Sequence, residues 1–200
     1  MRVAEPSAPH EKERGYFFAM AEITGGTREY ITKLQAAVDA IETDYYAEKN
    51  KGRDIFERIL IRANETYAEL LPRAGTGLNL AVGAIRPQGI TIAYYGAPLA
   101  LALYPTAHDL GIADIITEKN QGDSLFSDII TGSLNRGDYF LIASPRLEVV
   151  LPRTELAHIL AAKSGRFGAA QIEKTLTGAN NVGSFGGFIF CLADESAPKT

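Results

Sequence analysis

The chain has 200 residues, of which 46% are hydrophobic, and its formal net charge is -4 at pH 7. This length usually makes one domain with its own core. A nucleic-acid binder normally carries a surplus or a stripe of Lys and Arg, so nucleic acid is not expected as a partner. No apolar run approaches the roughly 20 residues that a membrane span needs. The single cysteine, Cys191, excludes an internal disulfide and favours a reducing, cytoplasmic compartment.

The N-terminal half predicts one buried strand followed by two long helices. Residues 1–14 are mostly polar and contain two prolines, so we expect a flexible arm there. An apolar run from Tyr16 to Met20 predicts a buried strand that ends near Glu22. Thr27 is a suitable N-cap residue, and apolar residues at helical spacing follow it. A second helix is predicted over residues 54–71.

The remainder predicts mainly antiparallel strands and ends with short helices and one last strand. A hairpin is expected from two strands joined by a turn at Pro87 and Gln88. This order suits an α+β fold, a four-layer αββα sandwich in one domain over residues 15–192, with a tail over 193–200. The predicted strands cover residues 78–85, 90–95, 98–104, 113–117, 125–130, 139–143 and 188–192, and the helices lie near Leu156 and over 169–176.

Several motifs, in this order, resemble those of the metal-dependent type 2C (PPM-type) protein phosphatases. Residues 18–26, FAMAEITGG, are similar to the family's first metal motif, FAVADGxGG. Residues 75–77 open a strand as the family's GTT does, and residues 92–96 match the strand that leads into GDSR. Residues 134–142, LNRGDYFLI, resemble LxxGDxLLL. The resemblance implies the αββα fold and, in active members, carboxylates that hold two divalent cations.

The resemblance also implies that most of these metal ligands are absent. Glu22 stands at the bridging aspartate and is the one metal position that keeps an acid. Ile23 replaces the next glycine, and Ala97 replaces the aspartate of GDSR. In the S/T-D-G motif, Pro145 stands for aspartate and Arg146 for glycine.

The last metal motif, DNxT, is lost in either of two alignments. Either the segment that begins at Ser184 or the one that begins at Asn180 stands in its place, and neither supplies the aspartate. Hard divalent cations need oxygen ligands, chiefly carboxylates. We therefore expect no catalytic residues and no cofactor, with manganese or magnesium relevant only if other acids compensate.

An anion contact is a further hypothesis. Gly25 and Gly26 precede a helix N-terminus, where free amides can bind an anion, but ordinary turn chemistry explains them as well. Arg14 is the nearest candidate for the family's phosphate-binding arginine. The alternative for Glu22 is a structural carboxylate that accepts hydrogen bonds from the Gly25 and Gly26 amides.

Three functions follow. The first is a catalytically inactive phosphatase-like domain, a pseudophosphatase that acts as a protein-binding or regulatory module, with a kinase or a phosphoprotein as its partner. The second is a working manganese- or magnesium-dependent serine/threonine phosphatase with displaced ligands. The third is an N-terminal nucleophile hydrolase, which shares the layer order and would free Thr76 or Thr27 by cutting its own chain. The candidate displaced ligands are Asp109, Asp114, Asp123 and Asp128.

Overall fold

The computed structural model describes residues 1–48, 55–86, 89–107, 109–162, 165–178 and 186–192. In chain order, the elements are β1 (Arg2–Ala4), α1 (Pro9–Lys12), β2 (Tyr16–Thr24), α2 (Arg28–Ala47), α3 (Ile55–Thr66), a 3-10 turn (Ala68–Leu70), β3 (Gly77–Arg86), β4 (Gly89–Tyr95), β5 (Leu99–Pro105), β6 (Leu110–Asp114), β7 (Asp128–Gly132), β8 (Tyr139–Ala143), α4 (Leu147–Val150), α5 (Arg153–Ala162), α6 (Gly165–Gly178) and β9 (Gly187–Cys191).

These elements form two compact units. The first comprises Met1–Ala97 and Glu118–Gly132, and the second comprises Pro98–Thr117 and Ser133–Thr200. Each contains one antiparallel sheet with helices packed on it, so the α+β prediction is confirmed. The boundaries of a single domain over residues 15–192 stay a prediction.

The first unit has a sheet in the order β1-β2-β3-β4-β7. Side chains alternate between the two faces of a strand, and Phe17 and Ala19 of β2 lie on the face that packs against α2 and α3. Helix α2 begins as predicted, because Thr27 Oγ1 accepts a hydrogen bond from the Tyr30 N–H at 3.1 Å. The second predicted helix is α3, which ends at Thr66 and is followed by the 3-10 turn.

The N-terminal segment is more ordered than a flexible arm. Strand β1 pairs antiparallel with β2, with Arg2 opposite Ala19. Arg2 also forms ion pairs with Asp39, at 3.3 Å, and with Glu42 on α2. The prediction of a flexible arm is therefore wrong for this segment, because contacts with α2 and β2 fix a strand too short to be seen as a periodic pattern.

The second unit has a sheet in the order β6-β5-β8-β9. Leu101 and Leu141 are buried on the face that packs against Leu156 and Leu160 of α5. Strand β8 covers the predicted residues. Strand β6 begins three residues before the predicted 113–117 segment, overlaps it at Ala113 and Asp114, and pairs with β5.

The hairpin of β3 and β4 is present, while its turn at Pro87 and Gln88 and the tail over 193–200 lie outside the described residues. Cys191 is exposed at the end of β9. Within the described part of the chain, no helix combines the length and the apolar character needed to cross a bilayer.

Candidate functional site

The site predicted around Glu22 contains a chain of hydrogen bonds through one asparagine. Glu22 of β2 lies opposite Asn79 of β3. Asn79 Nδ2 donates to Glu22 Oε2 at 2.8 Å, and Asn79 Oδ1 accepts from the Ala97 N–H at 2.9 Å. A backbone N–H can only donate, so Asn79 must turn its oxygen to Ala97 and its NH₂ group to Glu22. We call Glu22, Asn79 and Ala97 the Glu22 cluster.

A glycine turn at the end of β4 brings Ala97 to Asn79. Gly96 has φ of 77°, a left-handed conformation that favours glycine. A Cβ atom there would lie 2.2 Å from the Leu78 carbonyl oxygen and 2.6 Å from Asn79 Oδ1. Only a residue without a side chain therefore lets the backbone approach β3 closely enough for the Ala97 N–H to reach Asn79.

A second asparagine holds the loop that crosses the end of β4. Asn120 is buried, and its backbone exchanges two hydrogen bonds with Gly96, at 2.6 and 2.8 Å. Its Nδ2 donates to the Tyr94 carbonyl oxygen at 3.1 Å and to Ser127 Oγ at 2.6 Å. Its Oδ1 accepts from the Gly122 N–H at 3.0 Å. The turn that carries Ala97 is thus fixed from both sides.

The residues that follow Glu22 make a tight turn into α2. Ile23 packs on the core of the first unit. Gly25 has φ of 70°, and a Cβ there would lie 2.2 Å from the Gly75 carbonyl oxygen. These contacts support the interpretation that Gly25 and Gly26 are needed to form the turn between β2 and α2. The expectation that their amides bind Glu22 is wrong, because the hydrogen-bond partner of Glu22 in the structure is Asn79.

Arg14 lies at the other end of β2. Glu22 lies six positions after Tyr16, the first residue of β2, which corresponds to about 20 Å of extended strand, and Arg14 precedes that strand. Its guanidinium lies 5.9 Å from the centre of the Tyr45 ring and donates a hydrogen bond to the Glu48 carbonyl oxygen. The structure therefore does not bring Arg14 and Glu22 into one site.

Pro145 and Arg146 belong to the second unit, between β8 and α4. Arg146 is exposed and directly precedes α4. Ser144 before them is 2% exposed, and its N–H donates to the Gly186 carbonyl oxygen at 2.9 Å. Ser184 lies outside the described residues.

The described residues do not fit a two-metal centre. The Glu22 cluster supplies one carboxylate, an amide that turns its NH₂ group towards it, and a backbone N–H; two of these groups are donors, which repel a cation. Among the residues that the structure describes, no three His, Cys, Asp or Glu side chains gather closely enough to hold a metal ion.

Two of the proposed displaced ligands already have protein partners. Asp114 Oδ2 lies 2.7 Å from Arg153 Nη1, and the hydrogen bond from Arg153 lowers the pKa of Asp114. Asp109 Oδ1 accepts from the Leu110 N–H at 2.8 Å. These acids serve local structure in the second unit.

Sequence reasoning named Glu22 and Ala97 but missed Asn79, the residue that joins them. No motif marks Asn79. Its role depends on the register between β2 and β3, since the two partners are 57 residues apart in the chain. The signal that could have found it is a polar residue in the apolar run of β3, which needs a partner across the sheet.

Comparisons with known proteins establish the fold. No family model matches the sequence, and no curated protein matches it. Solved structures do match. The S. agalactiae serine/threonine phosphatase has a TM-score of 0.68 and 14% identity over 88% of each chain.

Two other solved structures match this chain with similar TM-scores. The catalytic domain of the serine/threonine phosphatase PstP, in complex with two manganese ions, has a TM-score of 0.63 and 12% identity over 86% of this chain and 85% of its own. PppA from Pseudomonas aeruginosa, described as a key regulatory component of T6SS, has a TM-score of 0.61 and 16% identity over 94% of this chain and 88% of its own.

The chain therefore has the fold of the PPM-type serine/threonine phosphatases, as the motifs predicted. This is a likeness of fold, since identities of this size do not carry an activity from one protein to another.

Proposed function

We propose that this chain is a catalytically inactive PPM-type phosphatase-like domain, a pseudophosphatase that acts as a protein-binding or regulatory module. The observation that carries the proposal is the hydrogen bond from Asn79 Nδ2 to Glu22 Oε2. The contact brings a neutral N–H donor, and not a second acid, to the Glu22 carboxylate. We further propose a cytoplasmic location and a protein partner, such as a kinase or a phosphoprotein.

One carboxylate does not offset the charge of a two-metal centre. Two divalent cations carry four positive charges, which several carboxylates must offset. In the Glu22 cluster one carboxylate is present, Asn79 contributes no charge, and Ala97 contributes no side-chain ligand. Arg146 would add a positive charge where the resemblance implies a glycine.

A regulatory role is compatible with this fold, because one fold hosts many functions. PppA, which shares the fold, is described as a regulatory component. A domain that keeps its core but has lost its acids retains a rigid surface on which a partner can bind.

Calorimetric titration with Mn²⁺ and Mg²⁺ tests the proposal. The catalytic domain of PstP serves as the positive control, since it holds two manganese ions. We expect no tight binding of either ion to this chain, and no hydrolysis of a phosphopeptide above the blank in the same buffer.

The contrary outcome is also clear. Binding of two ions per chain, together with phosphopeptide hydrolysis that Glu22→Gln abolishes, would overturn the proposal and favour the working phosphatase. Glu65→Gln, on the exposed side of α3, is the matched control for the loss of one carboxylate.

A further inference from the structure

Strand β2 has one edge that β1 covers only in part. All nine residues of β2, Tyr16–Thr24, pair with β3. On the other edge, β1 pairs with only three of them, Phe17 to Ala19. In the part of the chain that the structure describes, the β2 segment from Ala21 to Thr24 has no strand on that edge.

The backbone groups of Ala21 and Ile23 point towards this uncovered edge. The Phe17 N–H donates to Tyr46 Oη at 3.1 Å and so points away from β3. In an antiparallel sheet, alternate residues direct both backbone groups to the same side. Ala21 and Ile23 share the orientation of Phe17, so each presents one N–H and one C=O to the uncovered edge.

The uncovered edge reaches solvent. Met20 is 1% exposed, whereas Ala21, Glu22 and Ile23 are half-buried and Thr24 is exposed. An extended segment placed there would continue the line of β1 and satisfy the four backbone groups, which is how strand addition binds peptides.

The charge at this edge selects the partner's side chain. Glu22 directs its backbone groups to β3, so a residue opposite it on an added strand occupies a non-hydrogen-bonded position, where facing side chains come closest. The Glu22 carboxylate accepts a hydrogen bond from the neutral Asn79 amide, and this bond brings no positive charge to Glu22. Opposite charges across a strand pair stabilise it, and like charges destabilise it.

We infer that the edge of β2 from Ala21 to Thr24 binds an extended segment of a partner protein that places a Lys or Arg opposite Glu22. The inference rests on the proposed function, because it names the partner chemistry of a non-catalytic binding module. It uses Glu22 as a charge that attracts the partner.

A tethered segment tests the edge directly. In the register that sets Arg2 opposite Ala19, the residue joined directly before Met1 lies opposite Ala21, and the residue before that lies opposite Glu22. An N-terminal extension Val-Lys-Val therefore places its lysine opposite Glu22 and its valines opposite Ala21 and Ile23. Tethering raises the effective concentration of the segment, so weak pairing becomes measurable.

The readout is the amide hydrogen exchange of Ala21 and Ile23 by NMR, which needs neither metal nor phosphatase activity. We expect the Val-Lys-Val extension to slow both amides at least about tenfold relative to the unextended chain. A Pro-Lys-Pro extension keeps its carbonyl acceptors but lacks the two N–H donors to the Ala21 and Ile23 carbonyl oxygens, so it should slow exchange less than Val-Lys-Val. A Val-Glu-Val extension should slow exchange less than Val-Lys-Val, and Glu22→Gln should remove the difference between them.

Each contrary result has a defined meaning. Equal exchange with and without Val-Lys-Val overturns the inference, and so does equal slowing by the lysine and glutamate extensions. Slowing that grows with the concentration of the unextended chain assigns the edge to a second copy, which also overturns it. The proposed function is tested separately by the metal titration, so the two can fail independently.

Discussion

The side chain of Asn64 on α3 forms two hydrogen bonds with the backbone of Phe126, which lies 62 residues later in the chain. Asn64 Nδ2 donates to the Phe126 carbonyl oxygen at 3.1 Å, and Asn64 Oδ1 accepts from the Phe126 N–H at 3.0 Å. Phe126 itself is 5% exposed and belongs to the core of the first unit. One side chain thus substitutes for a strand partner and holds a loop segment against a helix.

Replacing Asn64 by alanine should destabilise the first unit. Both backbone groups of Phe126 would lose their partner in a poorly solvated place, which costs about 1–3 kcal/mol. Urea unfolding followed by circular dichroism measures the change. Glu65→Ala, on the exposed neighbouring position of α3, is the control and should alter stability by less than about 0.5 kcal/mol. Equal stability of the two variants would contradict a structural role for Asn64.

The stability of the Asn79→Asp variant should depend on pH differently from the stability of the unchanged chain. The new carboxylate would face Glu22, and two like charges in one site disfavour ionisation of both. The variant should therefore lose stability relative to the unchanged chain as the pH rises from about 4 to about 7.5, because repulsion grows as the acids ionise. Thermal unfolding at several pH values measures it.

The same variant also tests the electrostatic argument for lost metal binding. With two facing carboxylates, Mn²⁺ should raise the unfolding midpoint of Asn79→Asp, whereas the unchanged chain should show no shift. Gln121→Glu makes the same charge change in an exposed loop and should respond to neither pH nor Mn²⁺ in this way. A Mn²⁺ response of the unchanged chain as large as that of the variant would count against the proposed function.

Much of the fold could be predicted from the sequence because its elements are long and periodic. Helix α2 carries apolar residues at helical spacing behind a threonine N-cap, and β8 is a continuous apolar run. The strand predicted over residues 125–130 begins only at Asp128, because Leu125 and Phe126 are apolar residues of a buried loop that Asn64 holds. Hydrophobicity indicates burial there but does not distinguish a strand from a loop.

The site was predictable only in part. Motif positions marked Glu22 and Ala97, since Glu22 lies three residues before Gly25 at the end of β2 and Ala97 follows Gly96 at the end of β4. Asn79 became visible only with the pairing of β2 and β3, which local patterns do not specify. Arg14 was considered because it lies close to β2 in the sequence, but the sequence does not reveal that its guanidinium packs on the Tyr45 ring of α2.

Tyr46 connects α2 to the start of β2 and should control stability at alkaline pH. Its hydroxyl donates towards the Gly15 and Ala4 carbonyl oxygens, at 2.9 and 3.1 Å, and accepts from the Phe17 N–H at 3.1 Å. Burial raises the pKa of Tyr46 to about 12. An unfolded tyrosine ionises near pH 10, so the contribution of Tyr46 is complete below about pH 10 and is lost as the pH rises towards 12.

Tyr46→Phe should therefore be less stable than the unchanged chain by about 1–2 kcal/mol near neutral pH, through its lost hydrogen bonds. The difference should narrow between about pH 10 and pH 12. Urea unfolding across this range measures it, with the exposed Tyr16→Phe as the matched control. A difference that stays constant up to pH 12 would show that the Tyr46 hydroxyl does not titrate with folding.

Arg153 forms ion pairs with two acidic side chains of the second unit, and the stability that these pairs contribute should decrease at acidic pH. It forms ion pairs with Asp114 at the end of β6, at 2.7 Å, and with Glu148 on α4. The hydrogen bond from Arg153 lowers the pKa of Asp114. A carboxyl whose folded pKa is lowered stabilises the fold above its unfolded pKa, and this contribution is lost as the pH falls through the folded value.

Arg153→Ala should cost about 0.5–1 kcal/mol at pH 7 and low salt, because these partly exposed pairs are screened by solvent. The difference from the unchanged chain should shrink in about 0.5 M NaCl and again below about pH 4, as Asp114 becomes protonated in the unfolded state. Thermal unfolding with varied salt and pH measures both. Arg146→Ala removes an exposed arginine just before α4 and should show neither dependence. If Asp114 were instead a displaced metal ligand, Arg153→Ala would release it, and the variant would gain Mn²⁺ affinity. The geometry predicts no such gain, because among the residues that the structure describes no three His, Cys, Asp or Glu side chains gather to hold a metal ion.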